Sequence, residues 1–175
     1  TDTILPHKSQ LNKPTSFGKD GTTVYVYACS NELKDNKGNV AGIGTICHEF
    51  SHCLGYPDLY DINYGGKYGM GTWDLMCSGN YNGDGFQPVG YTAYERYAAG
   101  WIDPIVLDTD CEVKDMKSLN EGGNAYIFHN PEWDDEYYLI ENRQRTGWDA
   151  TIASTGIIIN HIDYSPVVWA NNCPN

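Results

Sequence analysis

Glycine and proline are concentrated in one central segment, residues 56–90, and this segment limits what the chain can form. Glycine occupies backbone conformations that other residues avoid, and proline donates no backbone hydrogen bond, so neither supports the interior of a helix or strand. We therefore expect loops and turns with little regular structure throughout the segment. A loop region of this length is usually functional or is organised by a ligand.

Helices are predicted on both sides of the glycine-rich segment. Residues 41–54 carry apolar side chains at spacings of three and four, which places them on one side of a helix, and Gly55 ends that helix. Residues 91–101 show the same spacing in a shorter helix that ends at Gly100. These two helices would therefore enclose the loop region.

The remaining patterns predict strands, so the expected fold class is α+β. Residues 22–29 are nearly all β-branched or aromatic, which is typical of a strand that is at least half-buried, whereas residues 1–20 read as irregular coil. After the second helix, β-branched and aromatic runs between turn residues predict four more strands. These strands cover residues 105–113, 125–129, 136–144 and 156–162.

The charge balance excludes some classes of partner. The chain has a net charge of −12 at pH 7 and a pI of about 4.6, whereas nucleic acids are held mainly by clustered lysine and arginine. Nucleic acid and anionic membranes are therefore not expected as partners. No apolar run is long enough to span a bilayer, and the start of the chain shows no secretion signal. Either the protein is cytosolic or a targeting segment has been removed.

The six cysteines leave the redox compartment open. None of them forms a CxxC pair, which makes a zinc site built from sulfur alone improbable, and a disulfide framework stays unassigned. Cys47 and Cys53 lie about 9 Å apart on the first predicted helix, which is too far for a disulfide between them.

The pentapeptide His48-Glu49-Phe50-Ser51-His52 lies inside the first predicted helix and has the pattern HExxH. Residues i and i+4 of a helix are separated by about 40° around its axis, so both imidazoles project from one face and can reach one metal ion. Glu49 lies at about 100° from His48, where its carboxylate suits a base for a water molecule and not a ligand. The same pentapeptide also occurs by chance in ordinary helices, so the motif alone leaves both interpretations open.

The residues after the pentapeptide favour the metal site. Gly55 lets the chain turn sharply, Pro57 stiffens the turn, and Asp58 then arrives where its carboxylate can fold back towards the two imidazoles. A carboxylate is an established third zinc ligand beside two histidines. The string from His48 to Asp58 reads HExxHxxGxxD and contains all the protein ligands that a catalytic zinc site needs.

This string resembles the active-site segment of the M6 family of secreted metallopeptidases, the immune inhibitor A-like group of the metzincin clan. Residues 73–79, WDLMCSG, are similar to the family's WDLMxSG segment, in which a methionine sits in a tight turn beneath the metal. Two separated motifs in the expected order are much harder to obtain by chance than one. Further similarity extends over residues 91–102, 136–143 and 156–163, so the resemblance covers most of the chain from about Gly42 to Asp163.

The resemblance implies a fold and a domain organisation. The fold would be α+β with a metzincin-like catalytic core, formed by the active-site helix, the glycine-rich loop with its Met-turn and the second helix, followed by a β-rich portion. Residues 1–101 would be part of a zinc peptidase catalytic region, and residues 102–175 would pack on it or continue it. The strands and long helix that precede the active-site helix in metzincins find no room before His48, and the family's secretion signal and propeptide are absent. We therefore expect a fragment of a protein that is secreted or held at the cell surface.

The resemblance also implies an activity. The chain would be a zinc-dependent endopeptidase that hydrolyses peptide bonds of protein or peptide substrates through a metal-activated water. His48, His52 and Asp58 would be the zinc ligands, and Glu49 would be the general base.

Further residues around the loop have candidate roles. Met76 would be the methionine of the Met-turn, a hydrophobic floor and not a ligand. Tyr81 follows it, where some metzincins carry a tyrosine that stabilises the oxyanion, although a structural role is the alternative in a chain with 14 tyrosines. Acidic and amide side chains in the loop suit a calcium site, or are ordinary solvated turn residues. They are Asp58, Asp61, Asp74, Asp84, Asn63, Asn80 and Asn82.

A rival hypothesis comes from the 14 tyrosines and 5 tryptophans. The chain could be a non-catalytic extracellular binding module that uses an aromatic surface for glycans or proteins, or an inactive fragment that retains the zinc site. The intact Glu49 argues against a degenerate enzyme, because a non-catalytic relative does not need that base.

Overall fold

The structure is a computed structural model that describes residues 4–173. These residues form strands, α-helices and short 3₁₀ helices, which confirms the α+β class. The strands are β1 (His7–Phe17), β2 (Thr22–Cys29), β3 (Ile105–Val106), β4 (Tyr126–Asn130), β5 (Trp133–Arg143) and β6 (Gly156–Asp163). The α-helices are α1 (Gly44–Cys53), α2 (Ala93–Ala98) and α3 (Pro166–Ala170), and the 3₁₀ helices are Gly71–Trp73, Ser78–Gly85, Leu119–Glu121 and Gly147–Thr151.

The chain begins with an antiparallel hairpin of β1 and β2. The strand predicted over residues 22–29 is confirmed with the same bounds, but most of it is exposed and not half-buried. The predicted coil over residues 1–20 is wrong for β1, and residues 1–3 lie outside the described part. Strand β1 is largely polar, so its own side chains give no strand signal; it forms because β2 satisfies its backbone hydrogen bonds.

Helix α1 confirms the first predicted helix, and Gly55 with φ +102° lies just beyond its end as expected. Its packing differs from the expectation, because the buried positions are Gly44, His48 and Ser51. The apolar side chains that revealed the helix lie mainly on its exposed surface. They are Ile43, Ile46, Phe50 and Leu54.

Residues 56–90 contain neither an α-helix nor a strand, as predicted, but they are not loosely held. Met76 is fully buried in a cluster with Tyr56 and Leu59, and Leu75 and Val89 form a second cluster. The segment obtains its order from these side chains together with two short 3₁₀ helices and scattered backbone hydrogen bonds.

Helix α2 confirms the second predicted helix in a shorter form. Thr92 accepts a hydrogen bond from the backbone N–H of Glu95, and the Glu95 side chain accepts from the backbone N–H of Thr92, so a capping box fixes the start. Tyr94 and Tyr97 pack from this helix onto a buried cluster of the sheet.

The four later strands form one sheet in the order β3-β4-β5-β6. Strand β3 is parallel to β4, and the other pairs are antiparallel. All four predicted strands exist, although the first shrinks to two residues. Helix α3 was not predicted, even though Ser165 followed by Pro166 is a recognisable helix start.

Charged side chains are buried where α2 meets strand β5. Glu95, Glu141 and Arg143 are almost completely inaccessible, and Arg143 forms a bidentate pair with Asp149. Glu141 accepts a hydrogen bond from the backbone N–H of Ala93. These contacts tie the sheet to the helical part, while the division at residues 101 and 102 stays a prediction.

A candidate metal centre

Three predicted ligands meet on one side of α1. The helix places His48 and His52 one turn apart, and the turn after Gly55 brings Asp58 back to them. Asp58 Oδ1 lies 3.1 Å from His48 Nε2 and 3.3 Å from His52 Nε2. One potential ligand atom from each residue lies within 4.8 Å of the others, and no other group of three acidic, histidine or cysteine residues within 4–173 is arranged in this way.

Backbone carbonyls orient both imidazoles. His48 Nδ1 lies 2.9 Å from the carbonyl oxygen of Leu75, and His52 Nδ1 lies 2.7 Å from that of Tyr56. A carbonyl oxygen only accepts hydrogen bonds, so Nδ1 is the protonated nitrogen of each neutral ring and Nε2 carries the lone pair. Both lone pairs therefore point to the side on which Asp58 lies, which is the usual arrangement of metal-binding histidines.

The carboxylate of Asp58 completes a set of atoms that suits a cation. Asp58 is buried, and its Oδ1 has no hydrogen-bond partner among residues 4–173. A buried acceptor without a partner is costly, and here it faces two further lone pairs. Two imidazole nitrogens and one carboxylate oxygen match the ligands of catalytic zinc sites, so the residues fit the metal that the sequence predicts.

The close contacts within the cluster shift the pKa values of Asp58 and His52. Burial opposes ionisation of Asp58, but contacts with His48, His52 and Asn172 outweigh it and hold the pKa of the carboxyl well below its usual range. Burial also lowers the pKa of His52, but its contacts with Asp58 and the Tyr56 carbonyl outweigh burial and raise it. The nearby carboxylate of Asp58 thus favours the protonated form of His52 more than bulk solvent would.

Glu49 lies beside the three ligands and does not belong to them. It is partly exposed and lines an open cleft of about 570 Å³ together with His48. It also lines the neighbouring groove in which His52 and Asp58 lie. The carboxylate therefore has access to solvent next to the three predicted ligands, as the predicted general base requires.

The segment around Met76 makes hydrogen bonds to His48 and to the neighbour of Asp58, and so helps to position the predicted ligands. The N–H of Met76 donates to Asp74 Oδ1, and the carbonyl of Met76 accepts from the N–H of Leu59, next to Asp58. Its neighbour Leu75 supplies the carbonyl that orients His48. The sulfur side chain is buried against Tyr56 and Leu59, and its role as a Met-turn stays a prediction.

Tyrosines line the cleft on one side of Glu49. Tyr81 is 66% exposed there, so its predicted role in stabilising the oxyanion stays a prediction. Tyr60 was not singled out in the sequence, yet its ring stacks on His48 with the centroids 6.5 Å apart. Burial and the charge of Asp58 raise the pKa of Tyr60 to about 12.

A second residue that sequence reasoning missed is Asn172, which follows α3. Its side-chain amide donates to Asp58 Oδ2, and its side-chain oxygen accepts from the backbone N–H of Asp58. The two residues are 114 positions apart, and no local pattern could have paired them.

The acidic loop residues do not gather at one point. Asp61 accepts backbone N–H bonds from Asn63 and Lys67, Asp84 pairs with Lys34, and Asp74 is fully buried. The calcium site thus stays a prediction. All six cysteines lie within residues 4–173 and are free.

Comparison with known proteins matches part of this chain to a protein family and to a curated metalloprotease. The model of the family described as "Immune inhibitor A peptidase M6, catalytic domain" matches residues 1–102. Similar proteins include the Pre-pro-metalloprotease PrtV from two strains of Vibrio cholerae serotype O1, each 36% identical over 59 residues. That match covers 32% of this chain and only 6% of the length of those relatives. No solved structure matches the chain.

The described residues contain no helix with both the length and the hydrophobicity that a membrane span requires.

Proposed function

The chain belongs to the M6 family of immune inhibitor A peptidases, and from this premise we propose that it is a zinc-dependent endopeptidase. The observation that carries the proposal is the convergence of His48 Nε2, His52 Nε2 and the partnerless Asp58 Oδ1 on one point. Glu49 lines the cleft next to that point. The three side chains are the proposed zinc ligands.

Zinc held by His48, His52 and Asp58 would supply a Lewis acid that activates a water molecule and polarises the peptide carbonyl. Glu49 takes a proton from the attacking water as general base and delivers it to the leaving nitrogen of the peptide. The backbone carbonyls of Leu75 and Tyr56 hold the two imidazoles in the tautomer that binds a metal. The hydroxyl of Tyr81, exposed in the same cleft, stabilises the oxyanion that forms at the peptide carbonyl.

The proposal extends to the architecture and the setting. Helix α1, the loop with Met76 as its Met-turn and helix α2 form a metzincin-like core in residues 1–101, and residues 102–175 form a β-rich portion packed on it. The substrates are proteins or peptides, which enter the open cleft beside Glu49. The full-length protein is secreted or held at the cell surface.

The experiment is a zinc analysis combined with digestion of a protein substrate such as casein. Protein prepared without chelator is expected to carry one zinc ion and to lose cleavage on addition of a chelator. Absence of zinc would contradict the metal assignment. Zinc without cleavage, with a longer form that does cleave, would mean that this chain is an inactive fragment; zinc without cleavage in both would favour the non-catalytic binding module.

A further inference from the structure

The third proposed zinc ligand is held by a residue far away in the sequence. Asp58 turns its Oδ1 towards the two imidazoles, while Asn172 Nδ2 donates to its Oδ2 over 2.7 Å. The oxygen of the same amide accepts from the N–H of Asp58 over 2.5 Å. One side chain thus grips both the carboxylate and the backbone of Asp58.

The position of Asn172 is set by how α3 docks. Ser165 caps the helix, with its hydroxyl accepting from the N–H of Val168. Trp169 donates from its indole nitrogen to the carbonyl of Gly55 over 2.9 Å, and its ring packs against Tyr56 and Tyr94 with centroids 6.3 and 5.6 Å away. The helix is therefore anchored to the same turn that carries the ligand.

The backbone after α3 aims the amide at the ligand. Asn172 has φ +55°, a left-handed conformation that asparagine tolerates better than most residues. It lines the groove that also contains the three proposed ligands. This conformation turns the chain at the helix end, so that the side chain reaches Asp58.

A carboxylate can rotate and present either oxygen, or both, to a metal. A donor fixed on Oδ2 leaves Oδ1 as the oxygen that faces the imidazoles, so the ligand set is in place before a metal arrives. Hydrogen bonds of this kind orient the ligands of metal sites, and their loss typically weakens metal binding by about 10–100-fold.

We propose that Asn172 is a positioning residue for the metal centre, which it serves by orienting Asp58. The inference rests on the proposed zinc site. It also places one functional residue outside residues 1–102, the range that the family comparison matches.

Zinc affinity, measured by competition with a chromophoric chelator, tests this role. Asn172→Gly removes the amide without straining a positive φ, and we expect it to weaken zinc binding by about 10–100-fold. Asn171→Ala is the matched control, because Asn171 is exposed and, among residues 4–173, its side chain bonds only to the carbonyl of Val167. We expect the control to bind zinc like the wild type.

A second comparison separates positioning from simple docking of α3. Trp169→Phe keeps an aromatic ring but removes the bond to Gly55, so it weakens docking without touching Asp58. Thermal unfolding in excess chelator reports the stability of each metal-free variant, and the visible spectrum of the cobalt-substituted protein reports ligand geometry. We expect only Asn172→Gly to change the cobalt spectrum.

The outcomes distinguish this inference from the proposed function. A wild-type chain that binds no zinc would overturn both. Equal zinc affinity of wild type and Asn172→Gly would overturn the positioning role alone, and so would losses of affinity that merely follow the loss of metal-free stability in both variants.

Discussion

At the scale of single residues, the most direct test of the site asks whether Glu49 acts as a base while His48, His52 and Asp58 bind the metal. Glu49 lies outside the group of three ligands and lines the cleft, so Glu49→Gln should remove the base and leave the metal in place. We expect cleavage to fall by about 100-fold or more, the usual contribution of a general base. Zinc content and the rate of casein cleavage are measured on the same samples. Loss of zinc in this variant would instead make Glu49 a ligand.

Tyr81 allows a second test at this scale. If its hydroxyl stabilises the oxyanion, Tyr81→Phe should lower kcat by about 100-fold and leave KM nearly unchanged, because the contact exists only in the transition state. Tyr64→Phe is the matched control, since Tyr64 lines the same cleft and is 89% exposed. Equal kcat values in both variants would return Tyr81 to a structural role.

The residues that could be predicted from the sequence are those with a local signal. His48 and His52 share a helical face, and Asp58 follows a glycine turn, so a fixed spacing describes all three. Tyr60 contacts the same centre by stacking on His48, and Asn172 does so by a hydrogen bond to Asp58, which lies 114 positions earlier in the chain. Spacing along the chain does not encode such contacts.

At the scale of elements, the close approach of α1 to the loop is the feature that a single substitution can test. A Cβ atom on Gly44 would lie 1.8 Å from the carbonyl oxygen of Asn80, which is backbone and cannot rotate away. Helix propensity alone predicts that alanine stabilises α1, but the clash should dominate and destabilise the protein by about 1–3 kcal/mol. Urea unfolding measures the difference.

Gly90→Ala is the control for this substitution. Its new Cβ would lie 3.4 Å from Arg96 Nη2 and 3.5 Å from the side-chain oxygens of Asn120 and Asp149, all ordinary contact distances, so we expect little change in stability. A Gly44→Ala protein as stable as the wild type would mean that helix α1 and Ser78–Gly85 do not approach each other so closely.

The elements also show where patterns along the chain fail. The apolar spacing of α1 correctly indicated a helix, yet Ile46 and Phe50 on that stripe are 51% and 57% exposed, while His48 is buried. The spacing of apolar residues indicates whether an element is a helix or a strand. Which face of that element becomes buried depends on the elements that pack against it. Strand β1 shows the reverse case, because its pairing with β2 exists without a strong pattern of its own.

At the scale of the whole molecule, buried carboxyl groups join the loop, α2 and the sheet. Asp74, Glu95 and Glu141 are all 0% exposed, and each has one oxygen without a hydrogen-bond partner among residues 4–173. Arg143 lies among them and is already paired with Asp149. Burial raises the pKa of all three carboxyl groups, so each keeps its proton to a higher pH in the folded protein than in the unfolded chain, although Arg143 Nη1 also lies 3.6 Å from Glu141 Oε1.

Asp74→Asn tests this conclusion through pH. Burial raises the pKa of Asp74 to about 6, above the ordinary aspartate value of 3.8. Below the lower value, the carboxyl is protonated in both the folded and the unfolded state. As pH rises towards 6, the unfolded chain releases the proton while the folded protein keeps it, so stability is lost by up to about 3 kcal/mol. Asparagine keeps the acceptor for the N–H of Met76 and cannot ionise.

The variant should therefore gain stability relative to the wild type between about pH 4 and pH 7. Urea unfolding of both proteins in excess chelator, at several pH values across that range, measures the gain without a contribution from metal binding. Asp84→Asn, at an exposed position, is the matched control and should differ little from the wild type at any of these values. A stability difference for Asp74→Asn that does not change with pH would mean that Asp74 is ionised in the folded protein throughout this range. The positive charge of Arg143 would then lower the pKa of Asp74 by more than burial raises it.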